Sequence, residues 1–224
     1  MYGTIFDMDG VLFPTEPIKF KAYQQVFQDF FDIDIEENPE RLGMAEAKTM
    51  ELFLKMYNKQ ADFKKIPELI QKKREVYYDI LQKQNFEPIA GVKNFLDELK
   101  NNGVFKIGLA TASDQKSTDI LIKKFGFGKY FDSILSFEQV AKPKPDPEIY
   151  LESSQRLELL PSDCVVFEDT LIGLEAAERA GMISVGIATG IIREKLFVHA
   201  DLVVSNFNEI NPEMIKELFE ISPK

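Results

Sequence analysis

Cysteine and histidine are nearly absent from this chain of 224 residues, which contains one of each, Cys164 and His199, and no tryptophan. A single cysteine excludes an internal disulfide, and a single histidine excludes a metal site or a catalytic centre built on several histidines. Any chemistry must therefore use carboxylates, hydroxyls, lysines and backbone groups.

Positive charge is also scarce. The chain has 27 Lys and Arg residues against 37 Asp and Glu residues, a formal net charge of −10. This balance excludes a generally basic surface for binding nucleic acid. Apolar residues make up 45% of the chain and include 19 Phe, a composition typical of a globular protein with a large core.

Long apolar runs are missing as well. No run approaches the roughly 18 residues of a membrane helix. Asp7 lies close to the N-terminus, and no basic segment followed by an apolar one precedes it, as a signal peptide would require. We therefore expect a cytoplasmic protein that does not bind membranes. Its oligomeric state is left open, and a monomer is compatible with the sequence.

Glycine spacing divides the chain into two kinds of structure. Of 12 glycines, only Gly43 lies between Gly10 and Gly91. Apolar residues in that stretch recur three and four positions apart, which predicts helices. The predicted helices cover residues 19–31, 45–58 and 66–83. We therefore predict an all-helical domain over residues 15–87.

The rest of the chain alternates short apolar runs with amphipathic segments. The runs predict strands at residues 4–6, 106–109, 133–135, 164–167, 183–187 and 202–204. Strands that alternate with helices favour right-handed βαβ units and a parallel sheet covered on both faces. We predict an α/β fold, a doubly wound parallel sheet formed by residues 1–14 and 88–224, with the helical domain inserted.

Acidic residues follow two of the predicted strands. Asp7 and Asp9 come directly after the first, and residues two apart on an extended segment point to the same side. Alternatively, Asp9 and Gly10 form only a turn. Glu168 and Asp169 come after the fourth strand, where Asp169 or Thr170 could instead simply cap the next helix.

Ligands of open parallel sheets bind at the carboxyl ends of the strands, so these four carboxylates are predicted to converge. At ~5 Å and an effective dielectric of ~20, each pair of like charges repels by ~3 kcal/mol. A divalent cation would relieve that repulsion. Oxygen ligands without histidine favour Mg²⁺, which typically serves phosphate chemistry.

Two further strand ends offer groups suited to phosphate. Thr111, Ala112 and Ser113 supply hydroxyls and N–H groups at a helix start, although Ser113 or Asp114 could merely cap that helix. Lys142 and Lys144 lie in a proline-rich segment, where either could be functional or a solvated surface charge. Asp146 and Pro147 are predicted as the cap and first residue of the following helix.

Taken in order, these segments resemble the four motifs of the haloacid dehalogenase superfamily. The matching residues are Asp7-Met8-Asp9-Gly10-Val11, Thr111, Lys142-Pro143-Lys144-Pro145-Asp146 and Glu168-Asp169. The helical insert after the first motif resembles the C1-type cap of the β-phosphoglucomutase-like branch. By the same pattern, Lys142 rather than Lys144 takes the role of the third motif.

The resemblance implies a mechanism and a set of site residues. Asp7 would attack phosphorus to form an aspartyl-phosphate, and Asp9 would act first as acid and then as base. The implied cofactor is Mg²⁺, held by Asp7, Asp169 and the backbone carbonyl of Asp9, with Glu168 bound directly or through water. The implied phosphate-binding residues are Met8, Thr111, Ala112 and Lys142.

The insert departs from the mutase pattern. Leu42 and Glu46 stand where a β-phosphoglucomutase would have Lys and Arg, and Lys19 stands where it has His. A mutase must retain and reorient a bisphosphate, which needs additional cationic contacts. We therefore expect hydrolysis. Residues of the insert that could contact a substrate are Glu16, Lys19, Arg41 and Met44, although we favour solvated helix charges as the explanation of the basic ones.

The predicted function is that of a Mg²⁺-dependent phosphatase acting on a small phosphorylated metabolite. The alternatives are a sugar-phosphate mutase of the same branch and, from another class, a receiver-type phospho-acceptor switch. Receivers place the phosphorylated Asp after a middle strand and lack a cap, whereas Asp7 follows the first strand, which disfavours the switch. Sugar phosphates, polyol phosphates, phosphoglycolate, nucleotides and pyrophosphate are all compatible substrates.

Overall fold

A computed structural model describes residues 1–59, 65–189, 195 and 198–221. The elements follow in the order β1 (Tyr2–Phe6), α1 (Glu16–Phe31), α2 (Glu46–Met56), α3 (Ile66–Lys83), α4 (Val92–Asn102), β2 (Phe105–Ala110), α5 (Gln115–Phe125), β3 (Ser133–Leu135), α6 (Glu148–Arg156), β4 (Cys164–Glu168), α7 (Leu171–Arg179), β5 (Ile183–Ile187), β6 (Leu202–Val204) and α8 (Pro212–Ile221). The chain forms two compact units, one of Met1–Pro14 with Phe86–Lys224 and one of Thr15–Asn85.

The first unit is built on a six-stranded sheet in the order β3-β2-β1-β4-β5-β6. Every neighbouring pair of strands is parallel. The strands β1, β4 and β5 consist mainly of buried apolar residues, as expected for a parallel sheet with both faces covered, and Val165, Val166 and Phe167 are fully buried. The predicted α/β fold with a doubly wound parallel sheet is confirmed.

The position of β1 in this sheet determines where the first motif lies. β1 pairs with β2 on one side and with β4 on the other, with Phe6 beside Leu109 and beside Phe167. The rings of Phe6 and Phe167 stack with their centroids 4.5 Å apart. The segments that follow β1, β2 and β4 therefore start next to one another at the carboxyl edge.

Two of the helix caps considered from the sequence are present. Asp114 caps α5, accepting a hydrogen bond from Ser117 N at 2.8 Å, and Thr170 caps α7, accepting one from Gly173 N at 3.1 Å. Helix α6 begins at Glu148, one residue later than predicted, and Pro147 precedes it. The capping positions thus fall on Asp114 and Thr170, and not on Ser113 or Asp169.

The second unit is helical. Helices α1, α2 and α3 confirm the three predicted helices, and α1 begins three residues early because Pro17 is favourable in a first turn. Its core contains Tyr23, Val26, Phe27, Ile35, Met50, Phe53, Leu54, Ile66 and Leu69. Within the described parts of the chain, no helix combines the length and the apolar character needed to cross a membrane.

Candidate active site

Asp7 is the first residue after β1, and its carboxylate is buried. Its backbone N–H donates to Phe167 O at 3.0 Å, which continues the pairing with β4 by one residue. Its Oδ2 accepts a hydrogen bond from the N–H of Asp9 at 3.0 Å. Gly10 has a φ of +78°, and its N–H donates to Phe13 O, so the chain turns immediately after the acidic pair.

The lysine beside Asp7 is Lys144, so the sequence-based assignment of Lys142 is wrong. Lys144 Nζ lies 2.7 Å from Asp7 Oδ1 and 2.7 Å from Glu168 Oε1, and the side chain is 8% exposed. Lys142 is 69% exposed, and its Nζ lies 3.5 Å from Asp146. The Glu148 carboxylate accepts hydrogen bonds from the N–H groups of Ala141 and Lys142, which holds the start of the segment against α6.

Glu168 is enclosed by hydrogen-bond donors. One carboxylate oxygen accepts from Lys144 Nζ at 2.7 Å and from Tyr150 OH at 2.8 Å. The other oxygen accepts from Asp169 N, Thr170 N and Thr170 Oγ1 at 3.0–3.1 Å. Burial raises the pKa of Glu168, but Lys144 and these hydrogen bonds outweigh it and lower the pKa overall. Glu168 therefore anchors Lys144 as a carboxylate.

Two contributors to this arrangement were missed in the sequence. Tyr150 reaches Glu168 from the first turn of α6. Gly173, in the first turn of α7, leaves the space that the Glu168 carboxylate occupies, because a Cβ atom there would collide with it. Two signals were available in the sequence. Lys144 lies four residues before Glu148, which places this lysine close to the start of α6. Gly173 lies inside a helix, where glycine is unfavourable.

Burial and the oppositely charged partners shift the pKa of each group in this cluster in opposite directions. Burial raises the pKa of Asp7 to about 7, although Lys144 opposes the rise, while the charges of Glu168 and Asp9 add to it. Burial alone would lower the pKa of Lys144, but Asp7 and Glu168 raise it well above its usual value. The ammonium group thus stays charged between two carboxylates. The three groups together carry a net negative charge, which a bound cation would offset.

Asp169 lies against the turn that follows β1. A Cβ atom on Gly10 would collide with the Asp169 carboxylate, so only glycine admits it so close to the backbone next to Asp9. Within the described ranges, no three His, Cys, Asp or Glu side chains form a metal cluster by themselves. Mg²⁺ commonly takes only one or two carboxylates, together with waters and substrate phosphate. Asp7 and Asp169 could supply two such carboxylates, and the Asp9 carbonyl is an oxygen donor of the kind that Mg²⁺ accepts.

Three of the four predicted phosphate-binding residues, all except Lys142, lie at the ends of β1 and β2. Thr111 is buried, its N–H donates to Leu135 O, and its Oγ1 accepts from Ser113 N at 3.0 Å. Ala112 is exposed. The Met8 side chain is buried, and its carbonyl accepts from Leu12 N and Phe13 N. Met8 and Ala112 would therefore contribute through their N–H groups, and Thr111 through its hydroxyl.

The predicted specificity residues of the helical unit are mostly paired with one another. Arg41 is buried and bonds to Glu16 at 2.8 Å and to Glu37 at 2.5 Å. Lys19 binds Glu16 at 3.0 Å. Met44 is exposed. Arg41 and Lys19 are thus held by acidic side chains of the same unit, which neither the solvated-charge alternative nor the substrate prediction anticipated.

Comparison with known proteins identifies the family. The family model for haloacid dehalogenase-like hydrolases matches residues 4–187. The chain is 33% identical over 183 residues to a phosphorylated carbohydrates phosphatase of Thermotoga maritima, covering 81% of this chain and 82% of that one. It is 30% identical over 225 residues to the β-phosphoglucomutase of Bacillus subtilis, covering 98% and 96%.

A solved structure shows the same architecture. The crystal structure of a HAD hydrolase of family IA, variant 3, from Entamoeba histolytica superposes with a TM-score of 0.88 at 26% identity, covering 98% of this chain and 100% of that one. Sequence, motif order and fold agree. The chain is therefore an enzyme of the haloacid dehalogenase-like hydrolase family, related to its β-phosphoglucomutase-like members.

Proposed function

We propose that this enzyme is a Mg²⁺-dependent phosphatase that hydrolyses a small phosphomonoester through an aspartyl-phosphate on Asp7. The observation that supports it most directly is the 2.7 Å contact between Lys144 Nζ and Asp7 Oδ1 at the carboxyl end of β1. A buried carboxylate approaching an anionic phosphate needs cationic neighbours, since its own charge would repel the substrate.

Each residue has a defined task in the first step. A carboxylate oxygen of Asp7 forms a bond to phosphorus while the bond from phosphorus to the alcohol oxygen breaks. The departing oxygen takes its proton from the carboxylic acid of Asp9. Thr111, through its hydroxyl, and the N–H groups of Met8 and Ala112 would hold the phosphoryl oxygens. Lys144 would replace Lys142 as the lysine that offsets their charge.

The second step reverses the role of Asp9. Its carboxylate takes a proton from water, the water oxygen bonds to phosphorus, and the bond from phosphorus to Asp7 breaks to release phosphate. Mg²⁺, when bound by Asp7, Asp169 and the Asp9 carbonyl, would neutralise phosphoryl charge. We assign Glu168 to anchoring Lys144, because five donors already surround its two oxygens.

The choice between phosphatase and mutase rests on the helical unit. A phosphatase and a mutase are both among the relatives, at similar identity. Arg41 and Lys19 bind Glu16, and Lys73 and Arg74 bind Glu46. Cations already paired with carboxylates offer little to a second phosphate group. We therefore favour hydrolysis of a monophosphate, such as a sugar or polyol phosphate.

The test is a screen of phosphorylated metabolites, with phosphate release and product identity followed in parallel. We expect phosphate from several small monoesters, loss of that release in EDTA, and recovery when Mg²⁺ is added. Asp7→Asn should abolish turnover. Conversion of a sugar phosphate into its isomer without free phosphate would instead establish a mutase, and full activity of Asp7→Asn would refute the covalent mechanism.

A further inference from the structure

The hydroxyl of Ser113 donates a hydrogen bond to the carboxyl group of Asp9. Ser113 Oγ lies 2.5 Å from Asp9 Oδ2, between residues that are 104 positions apart in the chain. Ser113 is 9% exposed and Asp9 is 7% exposed, so little water competes for this bond. The helix cap that the sequence offered for Ser113 is formed by Asp114. The Ser113 side chain therefore has another use.

The turn that carries Ser113 is fixed on both sides. Ser113 N–H donates to Thr111 Oγ1 at 3.0 Å, and Ser113 O accepts from Phe137 N at 3.3 Å. The next residue, Asp114, is bonded to the first turn of α5 through Ser117 N. None of these bonds uses the Ser113 hydroxyl, so replacing that hydroxyl would leave the backbone of the turn in place.

A hydroxyl suits a partner whose charge changes during the reaction. It donates to a carboxylate and accepts from a carboxylic acid, whereas an ammonium or an N–H group only donates and would favour the ionised form. The proposed mechanism requires Asp9 in both forms. We propose that Ser113 is the positioning residue whose buried hydrogen bond keeps the carboxyl group of Asp9 in one orientation.

This inference rests on the proposed hydrolysis and predicts a dependence on the leaving group. Alkyl esters need a proton from Asp9 as the alcohol departs, whereas 4-nitrophenyl phosphate hardly does. General acid catalysis typically contributes 10²–10⁴-fold, so misplacing the acid should remove a large part of that factor for alkyl esters. A loss of substrate binding or of folded protein would instead lower the rate of hydrolysis of all substrates equally.

The experiment compares Ser113→Ala with the unchanged enzyme on monoesters whose leaving groups span a range of acidity. We expect kcat to fall by about 10–100-fold for alkyl phosphates, by less than about 3-fold for 4-nitrophenyl phosphate, and KM to change little. Ser113→Thr keeps a hydroxyl and should restore most of the rate on alkyl esters. Ser117→Ala removes another buried hydroxyl from the start of α5 and should leave both rates unchanged.

Two outcomes would overturn the inference. One is an equal loss on every ester, which would assign Ser113 to phosphate binding or to stability. The other is a crystal structure of Ser113→Ala in which the Asp9 carboxyl group has not moved. The crystal structure decides the matter even if the unchanged enzyme hydrolyses none of the esters, a result that would refute the proposed function separately.

Discussion

A single ammonium group holds two buried carboxylates together at the ends of β1 and β4. Lys144 makes contacts of 2.7 Å with both Asp7 and Glu168, and its Nζ also lies 4.7 Å from the centre of the Tyr150 ring. Removing one partner from a buried ion pair typically costs about 3–5 kcal/mol, because the remaining charge is left without compensation. We therefore expect substitution of Lys144 to affect both stability and catalysis.

The two neighbouring lysines provide a matched comparison. Lys144→Met should lower kcat by about 10²–10³-fold, the usual loss when one charge-stabilising donor is removed. It should also raise the pKa of Asp7 above about 7, because Lys144 opposes the effect of burial. Lys142→Met should change kcat by less than about 2-fold, since exposed charges contribute little. Phosphate release gives kcat for both variants, and circular dichroism checks that each variant is folded.

The same pair of variants tests the corrected assignment. If Lys142→Met lost as much activity as Lys144→Met, the contact between Lys144 and Asp7 would not be the catalytic one. An arginine at position 144 provides a further check. It preserves the charge but not the compact shape of the ammonium group, and we expect Lys144→Arg to remain strongly impaired.

Glu168 and Asp169 are adjacent acids for which we predict different effects on metal affinity. Asp169→Asn should weaken Mg²⁺ binding by at least about 10-fold, because a carboxylate ligand is replaced by an amide. Glu168→Gln should change Mg²⁺ affinity by less than about 3-fold while lowering turnover, because Lys144 loses an anionic partner. Isothermal titration with Mg²⁺ gives the affinities. Equal weakening by both variants would make Glu168 a metal ligand.

At the scale of the secondary-structure element, a glycine allows the first turn of α7 to pack closely against the end of β4. Gly173 lies in the first turn of α7, and its missing side chain leaves room for the Glu168 carboxylate at the end of β4. A glycine inside a helix normally destabilises it by about 1 kcal/mol relative to alanine. Here the packing against Glu168 outweighs that preference.

Gly173→Ala should therefore destabilise the protein where helix propensity alone predicts the opposite. Overpacking of a buried site typically costs about 1–3 kcal/mol, and we expect that loss in urea unfolding together with reduced turnover. Glu175→Ala, on the same helix and half-exposed, should shift the free energy of unfolding by less than about 0.5 kcal/mol. A more stable Gly173→Ala variant would contradict the packing argument.

The elements themselves could be predicted well because their patterns are physically simple. The buried strands β4 and β5 are mainly apolar, and α1 to α3 have apolar residues at the helical period. Asp7, Asp9 and Asp169 could be proposed as site residues from the sequence because each follows a strand. The choice between Lys142 and Lys144 could not be made in this way, since it depends on how residues 141–148 fold against α6.

At the scale of the whole molecule, the chain divides into two units with separate hydrophobic cores. The helical unit contains a buried cation of its own. Lys73 is 4% exposed, Glu46 binds it at 2.8 Å, and the Lys73 Nζ lies 5.0 Å from the centres of the Tyr23 and Tyr77 rings. Glu46 also binds Arg74. This pairing links α2 to α3.

Removal of the Glu46 charge should affect the helical unit first. Glu46→Gln leaves Lys73 buried without its carboxylate, and we expect a loss of about 2–3 kcal/mol, less than for a wholly buried pair because Glu46 is 29% exposed. Hydrogen exchange should accelerate in peptides from Thr15–Asn85 and stay unchanged in peptides from the sheet. Glu51→Gln, an exposed position on α2, is the matched control.

The pH dependence of this loss follows from the pKa of Glu46. Burial raises that pKa, but Lys73 and Arg74 outweigh burial and lower it below the usual 4.5. A carboxylate with a lowered pKa stabilises the folded state above its usual pKa, and the stabilisation disappears as the pH falls through the lower value in the folded protein. The difference in unfolding free energy between the unchanged protein and Glu46→Gln should thus be full at pH 7 and shrink below pH 4.5. A difference that stayed constant on acidification would mean that packing of the Glu46 side chain, and not its charge, stabilises the helical unit.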